Sequence, residues 1–223
     1  MQKMCEFFDI RPGITALIGG GGKTSTMYAL AEELRKIGSV IVCTSTHFLC
    51  PPQYPFFPHL SEKLSSGEVV STGSVDGHKL STPEQSFDEL TCFADYVLVE
   101  ADGSRQLPLK AHASHEPVIP EKANKVLVVI GIDGLWQSIK DVAHRPELYA
   151  AIVNADVNAA VTAEMIRDVV MTYPRCDGIV INKADDPEAL EKALRLAALF
   201  KVPVAVTAWH TDDPIKAYRR KEI

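Results

Sequence analysis

The clearest chemical signal in the sequence is a run of four glycines followed by a lysine and two hydroxyl residues. The run follows an apolar stretch with strand character, ITALI at residues 14–18, and precedes a helical pattern that begins at Thr24. A glycine loop between a strand and a helix can turn backbone N–H groups toward an anion, and the helix N-terminus adds partial positive charge. Lys23 can reach the β- and γ-phosphates of a nucleotide, and the Thr24 hydroxyl can ligate Mg²⁺. The predicted phosphate-binding residues are Gly19, Gly20, Gly21, Gly22, Lys23, Thr24 and Ser25.

The spacing of this loop departs from the common phosphate-loop pattern GxxxxGK[ST]. That pattern would place a glycine at position 17, where the sequence has Leu17, and the loop instead reads GxxGKT from Gly19. Shorter loops of this kind resemble those of ATP-driven ligases that build cell-wall precursors. A glycine-rich turn without a ligand is the alternative. Four glycines before Lys-Thr at a strand-to-helix junction favour phosphate binding.

A second signal is the string NKAD at residues 182–185, which follows an apolar stretch at 178–181. It resembles the NKxD motif of GTP-binding proteins, whose carboxylate can accept hydrogen bonds from guanine N1–H and the 2-amino group. Asp185 and Asp186 are also placed to cap the next helix, and one can cap while the other reads a base. The NKAD motif favours GTP, whereas the short glycine loop favours ATP, so the sequence leaves the choice between the two nucleotides open. The predicted base-binding residues are Asn182, Lys183 and Asp185.

Two carboxylates follow the third apolar stretch, YVLVE at residues 96–100. A carboxylate at the end of a buried strand can hold Mg²⁺ or one of its waters. The Glu-x-x-Gly spacing also resembles a switch segment of metal-insertion GTPases, and a surface turn is the alternative because Asp-Gly is a common turn pair. Arg105 could neutralise charge on a phosphoryl group. The catalytic candidates are Lys23, Glu100, Asp102 and Arg105, and the metal candidates are Thr24, Glu100 and Asp102.

Further polar residues lie at other predicted strand ends and in a proline-rich segment. Thr46 and His47 follow the strand at 40–44, where α/β folds bind ligands, although ordinary strand-end capping fits equally well. Arg145 is a second candidate for stabilising phosphoryl charge. The HxxHE spacing at residues 112–116 has metal-ligand character only in a helix. Neighbouring prolines predict a loop, which favours a structural or solvent-facing role.

Composition excludes several classes of protein. The chain has 223 residues, 46% of them hydrophobic, and a net charge of −6, which argues against a nucleic-acid binder that works by bulk charge. No apolar run reaches the roughly 18 residues that a membrane-spanning helix needs. The N-terminus has no signal-peptide core, and five cysteines without CxxC spacing fit a reducing compartment. We therefore expect a cytoplasmic protein with no membrane or nucleic-acid partner.

The hydrophobic pattern predicts one α/β domain over residues 1–223. Continuous apolar runs separated by helical patterns are typical of a three-layer fold, with a mostly parallel twisted sheet and helices on both faces. With the glycine loop, this pattern predicts a fold like that of P-loop NTPases. Prolines, aromatic residues and turn signals interrupt this alternation of strands and helices in residues 50–90, where we expect an inserted hairpin and helix. The predicted strands are 14–18, 40–44, 96–100, 125–132, 178–181 and 203–207, and the clearest helices are 24–37 and 187–200.

Several segments, in order from about residue 14 to 210, resemble the selenium-dependent molybdenum hydroxylase accessory proteins. They are LIGGGGKTS, TSTH, YVLVEADGSRQLPLKAH, HEPVIP, GIDGLW with HRPE, and INKAD. EADGSR and HRPE are the more specific segments because they are not generic nucleotide motifs. The resemblance implies a nucleotide-binding fold and a part in maturing a client molybdenum hydroxylase such as xanthine dehydrogenase. It supports the motif residues named above, and the substrate or client candidates are Thr46, His47, Lys110, His144 and Arg145.

Three functions fit these observations. The first is an Mg²⁺-dependent NTPase, using GTP or ATP, that acts as a maturation factor. The second is a small-molecule kinase or ATP-dependent ligase, with residues 50–90 as a lid or substrate pocket. The third is a non-catalytic docking module that holds a nucleotide. A homodimer is a further expectation, since related metal-insertion GTPases often pair across the nucleotide.

Overall fold

The computed structural model describes residues 2–49, 53–76 and 79–220, and these divide into two compact units built from interleaved segments. The first unit comprises residues 1–18, 24–103 and 117–126, and the second comprises 19–23, 104–116 and 127–223. The expectation of a single domain over 1–223 stays a prediction. Among the described residues, no helix has the length and apolar character needed to cross a bilayer.

In the chain up to residue 103, strands and helices alternate at first, and several short strands then follow one another after residue 40. In order they are α1 Met4–Phe7, β1 Gly13–Gly19, α2 Lys23–Leu34, β2 Val40–Thr44, β3 His47–Leu49, β4 Val69–Ser71, β5 Ser74–Asp76, β6 Lys79–Ser81, α3 Phe87–Leu90 and β7 Tyr96–Glu100.

The centre of the first unit is a parallel arrangement of four strands in the order β1-β7-β2-β4. Its register places Glu100, the last residue of β7, opposite Leu17 on one side and Thr44 on the other. Every residue of β2 and β7 is buried, which explains why both read as continuous apolar runs rather than alternating ones. Glu100 therefore reaches the carboxyl edge of this sheet, where parallel α/β folds bind ligands.

The segment between β2 and β7 contains a small antiparallel sheet and a short helix. The strand order is β3-β6-β5, and α3 begins with a capping box in which Ser86 and Glu89 satisfy each other's backbone N–H groups. β4 instead pairs with β2 in parallel. Residues 50–52, the start of the predicted insertion, lie outside the described residues.

The strands of the second unit include most of β9, whose first four residues, 123–126, belong to the first unit. Its remaining elements are β8 Leu109–Lys110, β9 Ala123–Gly131, a 3-10 helix Ile132–Gly134, α4 Ile139–Val142, β10 Ala143–His144, α5 Pro146–Val153, α6 Ala163–Val170, β11 Gly178–Asn182, α7 Pro187–Ala197, β12 Val204–Thr207 and β13 Ile215–Arg219.

The strands of this second unit are also mostly parallel. β11 pairs in parallel with β9 and with β12, and β13 closes the edge antiparallel to β12. β8 and β10 form a separate two-stranded parallel pair. α7 begins where the Asp186 side chain accepts a hydrogen bond from the Ala189 N–H, with Pro187 in the first helical position, as predicted.

The fold class, α/β with mostly parallel sheet and flanking helices, is confirmed, and each of the six predicted apolar runs contains a strand. The helix predicted over 24–37 was too long, because α2 ends at Leu34. The Ile37 N–H donates to the Leu34 carbonyl three residues back, which tightens the chain into a turn. Ile37, the last residue of the predicted helix, is 58% exposed.

Candidate functional site

The glycine loop, residues 19–23, adopts a backbone conformation that requires glycine. Gly21 has φ of +75°, and a Cβ there would lie 2.1 Å from the backbone nitrogen of Gly131, within the same unit. The loop is fixed by backbone hydrogen bonds, from Gly20 N–H to the Val129 carbonyl (2.9 Å) and from Gly21 N–H to the Leu107 carbonyl (3.0 Å). The loop is thus preorganised, with Gly20 and Gly21 bonded to protein carbonyls.

Lys23 folds back over this loop. Its side chain is buried, with 3% of the residue exposed, and its ammonium donates to the Gly19 carbonyl at 2.8 Å and to Ser104 Oγ at 3.3 Å. A buried ammonium is costly unless it is bonded to oxygen. Lys23 therefore lies at the loop with oxygen partners that a phosphate oxygen could replace.

The NKAD segment is bonded directly to the glycine loop. Asn182 Nδ2 donates to the Gly21 carbonyl at 2.8 Å, and Asn182 Oδ1 accepts a hydrogen bond from Thr207 Oγ1 at 3.2 Å. The approach is so close that a Cβ on Gly22 would lie 2.4 Å from Asn182 Nδ2. The two strongest sequence motifs therefore meet within the second unit.

A cavity of about 360 Å³ lies beside the rest of the NKAD segment, and its volume is within the range of small-molecule sites. Asp185 is exposed and borders the cavity, whereas its neighbour Asp186 caps α7. Lys183 also borders it, with its ammonium 2.6 Å from Asp133 Oδ2. The cavity is lined by Ile132, Asp133, Leu135, Gln137, Lys183, Asp185, Asp186, Glu188, Ala189 and Lys192.

In the first unit, the predicted metal candidates Thr24 and Glu100 are in contact. Thr24 Oγ1 donates to Glu100 Oε2 at 2.7 Å, and Thr44 Oγ1 donates to the Glu100 backbone carbonyl at 2.8 Å. Glu100 is 7% exposed and Asp102 is fully buried. A hydroxyl and a carboxylate are the hard oxygen donors that Mg²⁺ prefers.

The donor set is chemically suited to Mg²⁺ rather than to a softer metal. Within the described ranges, no group of three or more His, Cys, Asp or Glu side chains is arranged to hold a metal ion. Mg²⁺ typically takes only one or two protein carboxylates and completes its shell with water and substrate phosphates. Thr24 and Glu100 match that requirement.

Other predicted residues of the first unit take less specific positions. Thr46 N–H donates to Thr44 Oγ1 at 3.0 Å, which is the strand-end capping that the sequence also allowed. Ser25 is half-buried in the first turns of α2. His47 begins β3, and its side chain lies outside the described residues.

The predicted client residues of the second unit converge on a carboxylate that was not predicted as a site residue, Glu116. Lys110 Nζ lies 3.0 Å from Glu116 Oε2, and the Arg145 guanidinium donates to the same oxygen from Nη2 (3.0 Å) and Nε (3.2 Å). Arg145 Nη2 is also 3.3 Å from His115 Nε2. The β8–β10 pairing places His144 opposite Lys110. We call Lys110, His115, Glu116, His144 and Arg145 the Glu116 cluster.

The charges of this cluster shift the pKa of two of its members. Burial acts to raise the pKa of Glu116, but the hydrogen bonds and charges of Lys110 and Arg145 outweigh it and lower that pKa. The pKa of His144 is lowered, first by burial and then by the positive charges of Lys110, Arg145 and Arg105, against Glu116. His144 is therefore neutral at neutral pH. Arg105 itself is exposed, at a left-handed turn.

Several polar residues that contact the predicted ones were not proposed as site residues from the sequence. Among them are Glu116 in the cluster, Ser104 at Lys23, Asp133 at Lys183 and Thr207 at Asn182. Ser104 lies within EADGSR and Asp133 within GIDGLW. Both segments carry the family resemblance, and that resemblance was the sequence signal that could have identified these two residues. Glu116 was the carboxylate of the HxxHE spacing, and its loop position was predicted correctly.

Comparison with known proteins identifies one family. The family model of the YqeC protein matches residues 15–147, more than half of the chain. The YqeC protein of Escherichia coli (strain K12) is 32% identical over 165 residues, which is 67% of this chain and 64% of that relative. The chain thus spans less than two thirds of the relative's length. The matched range includes the glycine loop, Glu100 and the Glu116 cluster, and it ends before NKAD.

Proposed function

The chain belongs to the YqeC family, and we propose that it binds a purine nucleotide and hydrolyses it in an Mg²⁺-dependent reaction. The observation that carries the proposal is the hydrogen bond from Asn182 Nδ2 to the Gly21 carbonyl. It ties a base-reading motif to a phosphate-binding motif within one compact unit. Each motif alone is weak support for a nucleotide, and their contact supports the proposal that both act on one ligand.

Lys23 supplies the main phosphate-binding chemistry in this proposal, because the N–H groups of Gly20 and Gly21 already donate to the Val129 and Leu107 carbonyls. Lys23 already sits at the loop with its ammonium on the Gly19 carbonyl and Ser104 Oγ, so a phosphate oxygen can exchange for these partners. Charge-assisted hydrogen bonds to phosphate are stronger than those to neutral oxygens, which favours the exchange. The positive end of α2 adds to the attraction for an anion.

We propose guanine as the preferred base. Several carboxylates line the cavity, but Asp186 caps α7 and Asp133 pairs with Lys183, so we assign base reading to Asp185 of the NKAD segment. A carboxylate accepts hydrogen bonds only, and guanine offers two adjacent donors where adenine offers none. A site built to bond those donors rejects a base that lacks them.

Thr24 and Glu100 are the proposed Mg²⁺ ligands. Mg²⁺ neutralises phosphate charge in nucleotide hydrolysis, and this is the chemistry that such an ion would supply. Glu100 is held by its register between β1 and β2 and by its bond from Thr24, so its carboxylate is fixed before any ligand arrives. Arg105, exposed in the second unit, is the proposed cation for phosphoryl charge.

The biological role we propose is maturation of a selenium-dependent molybdenum hydroxylase in the cytoplasm. The support is the resemblance of the EADGSR and HRPE segments, which are not nucleotide motifs. In this proposal nucleotide turnover controls the conformation of residues 100–105 and 144–147 and thereby an interaction with the client. Faster hydrolysis in the presence of the client would support the role. Phosphate transfer to a small molecule would favour the kinase alternative instead.

The decisive experiment is equilibrium titration of the purified protein with GTP and ATP, each with and without Mg²⁺. GTP should bind more tightly than ATP, and Asp185→Asn should weaken GTP binding by at least about tenfold, the value of a lost charged hydrogen bond. Asp212→Asn is the matched control, because Asp212 is exposed, does not line the cavity and undergoes the same charge change. Lys23→Ala should abolish tight binding of either nucleotide, and Lys201→Ala, an exposed lysine, should not.

Three results would contradict the proposal. Unchanged nucleotide binding by Lys23→Ala would remove the phosphate site. Equal GTP and ATP affinities that are insensitive to Asp185→Asn would remove the base reader. Tight binding without hydrolysis, even with the client present, would leave a docking module rather than an enzyme.

A further inference from the structure

The cavity beside the NKAD segment suits an uncharged ring better than a phosphate group. Four of its lining residues are acids and two are lysines, and an excess of carboxylates repels phosphate. Ile132, Leu135 and Ala189 add apolar surface to the same cavity. Its volume of about 360 Å³ is near the lower end of the range for small-molecule sites. These features match a planar purine base.

Both lysines at the cavity are paired with carboxylates. The Lys183 ammonium lies 2.6 Å from Asp133 Oδ2, and the Lys192 ammonium lies 2.6 Å from Glu188 Oε1. Neither ammonium therefore stands unpaired to receive a phosphate, which again favours the base as the part of a nucleotide that enters here.

Trp136, the last residue of the GIDGLW segment, lies at the rim of this cavity. Its chain neighbours Leu135 and Gln137 both line the cavity. The Lys192 ammonium, on another lining residue, lies 4.6 Å from the centroid of the indole ring. Because Lys192 both lines the cavity and covers the ring, the indole face that it covers adjoins the cavity.

The backbone of Trp136 is fixed while its side chain stays exposed. The residue is 56% exposed, and its N–H donates to the Val161 carbonyl at 2.8 Å. Its φ of 66° is one that bulky residues rarely adopt. A single exposed apolar side chain is ordinary, but a strained backbone that holds a tryptophan beside a cavity calls for a functional explanation.

We propose that Trp136 stacks on the purine ring of the nucleotide, an inference that rests on the proposed function. The base takes the place of the Lys192 ammonium on the indole face, and Lys192 keeps Glu188 as its partner. Stacking of a base on an aromatic side chain contributes more than an exposed cation–π contact, so the exchange is favourable. Because every base has a π face, stacking strengthens binding without selecting between purines, and selection stays with Asp185.

The test follows the fluorescence of Trp136 in the full chain. Trp209→Phe leaves Trp136 as the single tryptophan. GTP should quench its emission, and the quench should saturate with the dissociation constant that calorimetry gives. Guanosine, which has no phosphates, should produce the same quench at higher concentration. If Trp209→Phe does not fold, loss of the quench in Trp136→Phe of the otherwise unchanged chain gives the same information.

Variants separate stacking from base reading. Trp136→Ala should weaken GTP and ATP binding by the same factor, at least about fivefold, and leave their ratio unchanged. Trp136→Phe keeps an aromatic face and should restore most of the affinity. Met171→Ala is the control, because Met171 is an exposed apolar residue outside the cavity lining. Lys192→Ala frees the indole face and should raise GTP affinity about two- to fivefold.

Three results would overturn this inference and leave the proposed function intact. The first is unchanged GTP binding by Trp136→Ala without any quench of Trp136. The second is a loss of GTP binding but not of ATP binding in Trp136→Ala, which would make Trp136 a base reader. The third is weaker GTP binding by Lys192→Ala, which contradicts the exchange. A wild-type chain that binds neither nucleotide nor guanosine would instead refute the proposed function and this inference together.

Discussion

Removing the Asn182 side chain should test whether the NKAD segment organises the glycine loop. Asn182 is 4% exposed, and Asn182→Ala leaves two buried groups without their partner, the Gly21 carbonyl and the Thr207 hydroxyl. Each unsatisfied buried group costs about 1–3 kcal/mol, so the combined loss should be about 2–6 kcal/mol. For a chain of this size that corresponds to a decrease in Tm of about 4–24 °C.

The assay pairs a thermal melt with a GTP titration. If the hydrogen bond to Gly21 also fixes the loop, GTP affinity should fall by about tenfold at a temperature where the variant remains folded. Asn182→Asp has nearly the same volume but cannot donate to the Gly21 carbonyl. It should reproduce both effects, which separates the loss of the donor from the effect of a cavity.

Asn158→Ala is the control, because Asn158 is exposed and its amide bonds only to the exposed Asp156 and Lys140 side chains. Its Tm should change little, as expected for surface substitutions. If Asn182→Ala lowers Tm while the dissociation constant for GTP stays at the wild-type value, the contact is a packing interaction. The contact between Asn182 and Gly21 would then make no contribution to GTP binding.

Three other predictions follow from contacts of single residues. Gly21→Ala should lower Tm because its Cβ has no room and the backbone is left-handed, whereas Gly103→Ala, with no atom within 4 Å of its Cβ, should change Tm little in the same melt. Glu100→Gln should reduce Mg²⁺-dependent hydrolysis roughly hundredfold in a phosphate-release assay, while Mg²⁺-free nucleotide affinity stays near wild type. Stability should fall as pH drops below 6.5, the ordinary pKa of histidine, because the unfolded chain then binds a proton that the native His144 resists. Denaturant midpoints between pH 5 and 8 should show this slope, and His144→Gln should flatten it. Below about pH 4.5 the lowered pKa of Glu116 should add a further loss, since its native ion pairs disappear on protonation.

The sheet could be predicted from the sequence because buried parallel strands leave a simple signature. β2, β7 and β11 are buried along their whole lengths and appear as short apolar runs. The N-terminal cap of α7 could also be predicted from a local signal, because an aspartate followed by a proline is typical of a helix start. Helix ends were less predictable, since apolar spacing continued through Ile37 although the hydrogen bonding had already changed to a turn.

The site could be predicted only in parts. The glycine loop and the NKAD segment are local motifs that can be recognised in the sequence. The hydrogen bond between Asn182 and Gly21, which are 161 residues apart, is a tertiary contact that local patterns do not predict. The Glu116 cluster depends on β8 and β10, strands of two residues each that leave no periodic signal. The role of Glu116 follows from Lys110 and Arg145 approaching it through tertiary structure, which no spacing rule encodes.

The segment Ser104–Lys110 has a thermodynamic consequence. It starts at a hydrogen-bond partner of Lys23, its Leu107 carbonyl accepts from Gly21, and it ends at the ammonium that pairs with Glu116. A ligand that displaces Lys23 from Ser104 therefore perturbs one end of this seven-residue segment. The other end, Lys110, belongs to the Glu116 cluster. Any coupling free energy carried this way is reciprocal. If a nucleotide at Lys23 altered the affinity of the Glu116 cluster for a second ligand by some factor, that ligand would alter nucleotide affinity by the same factor.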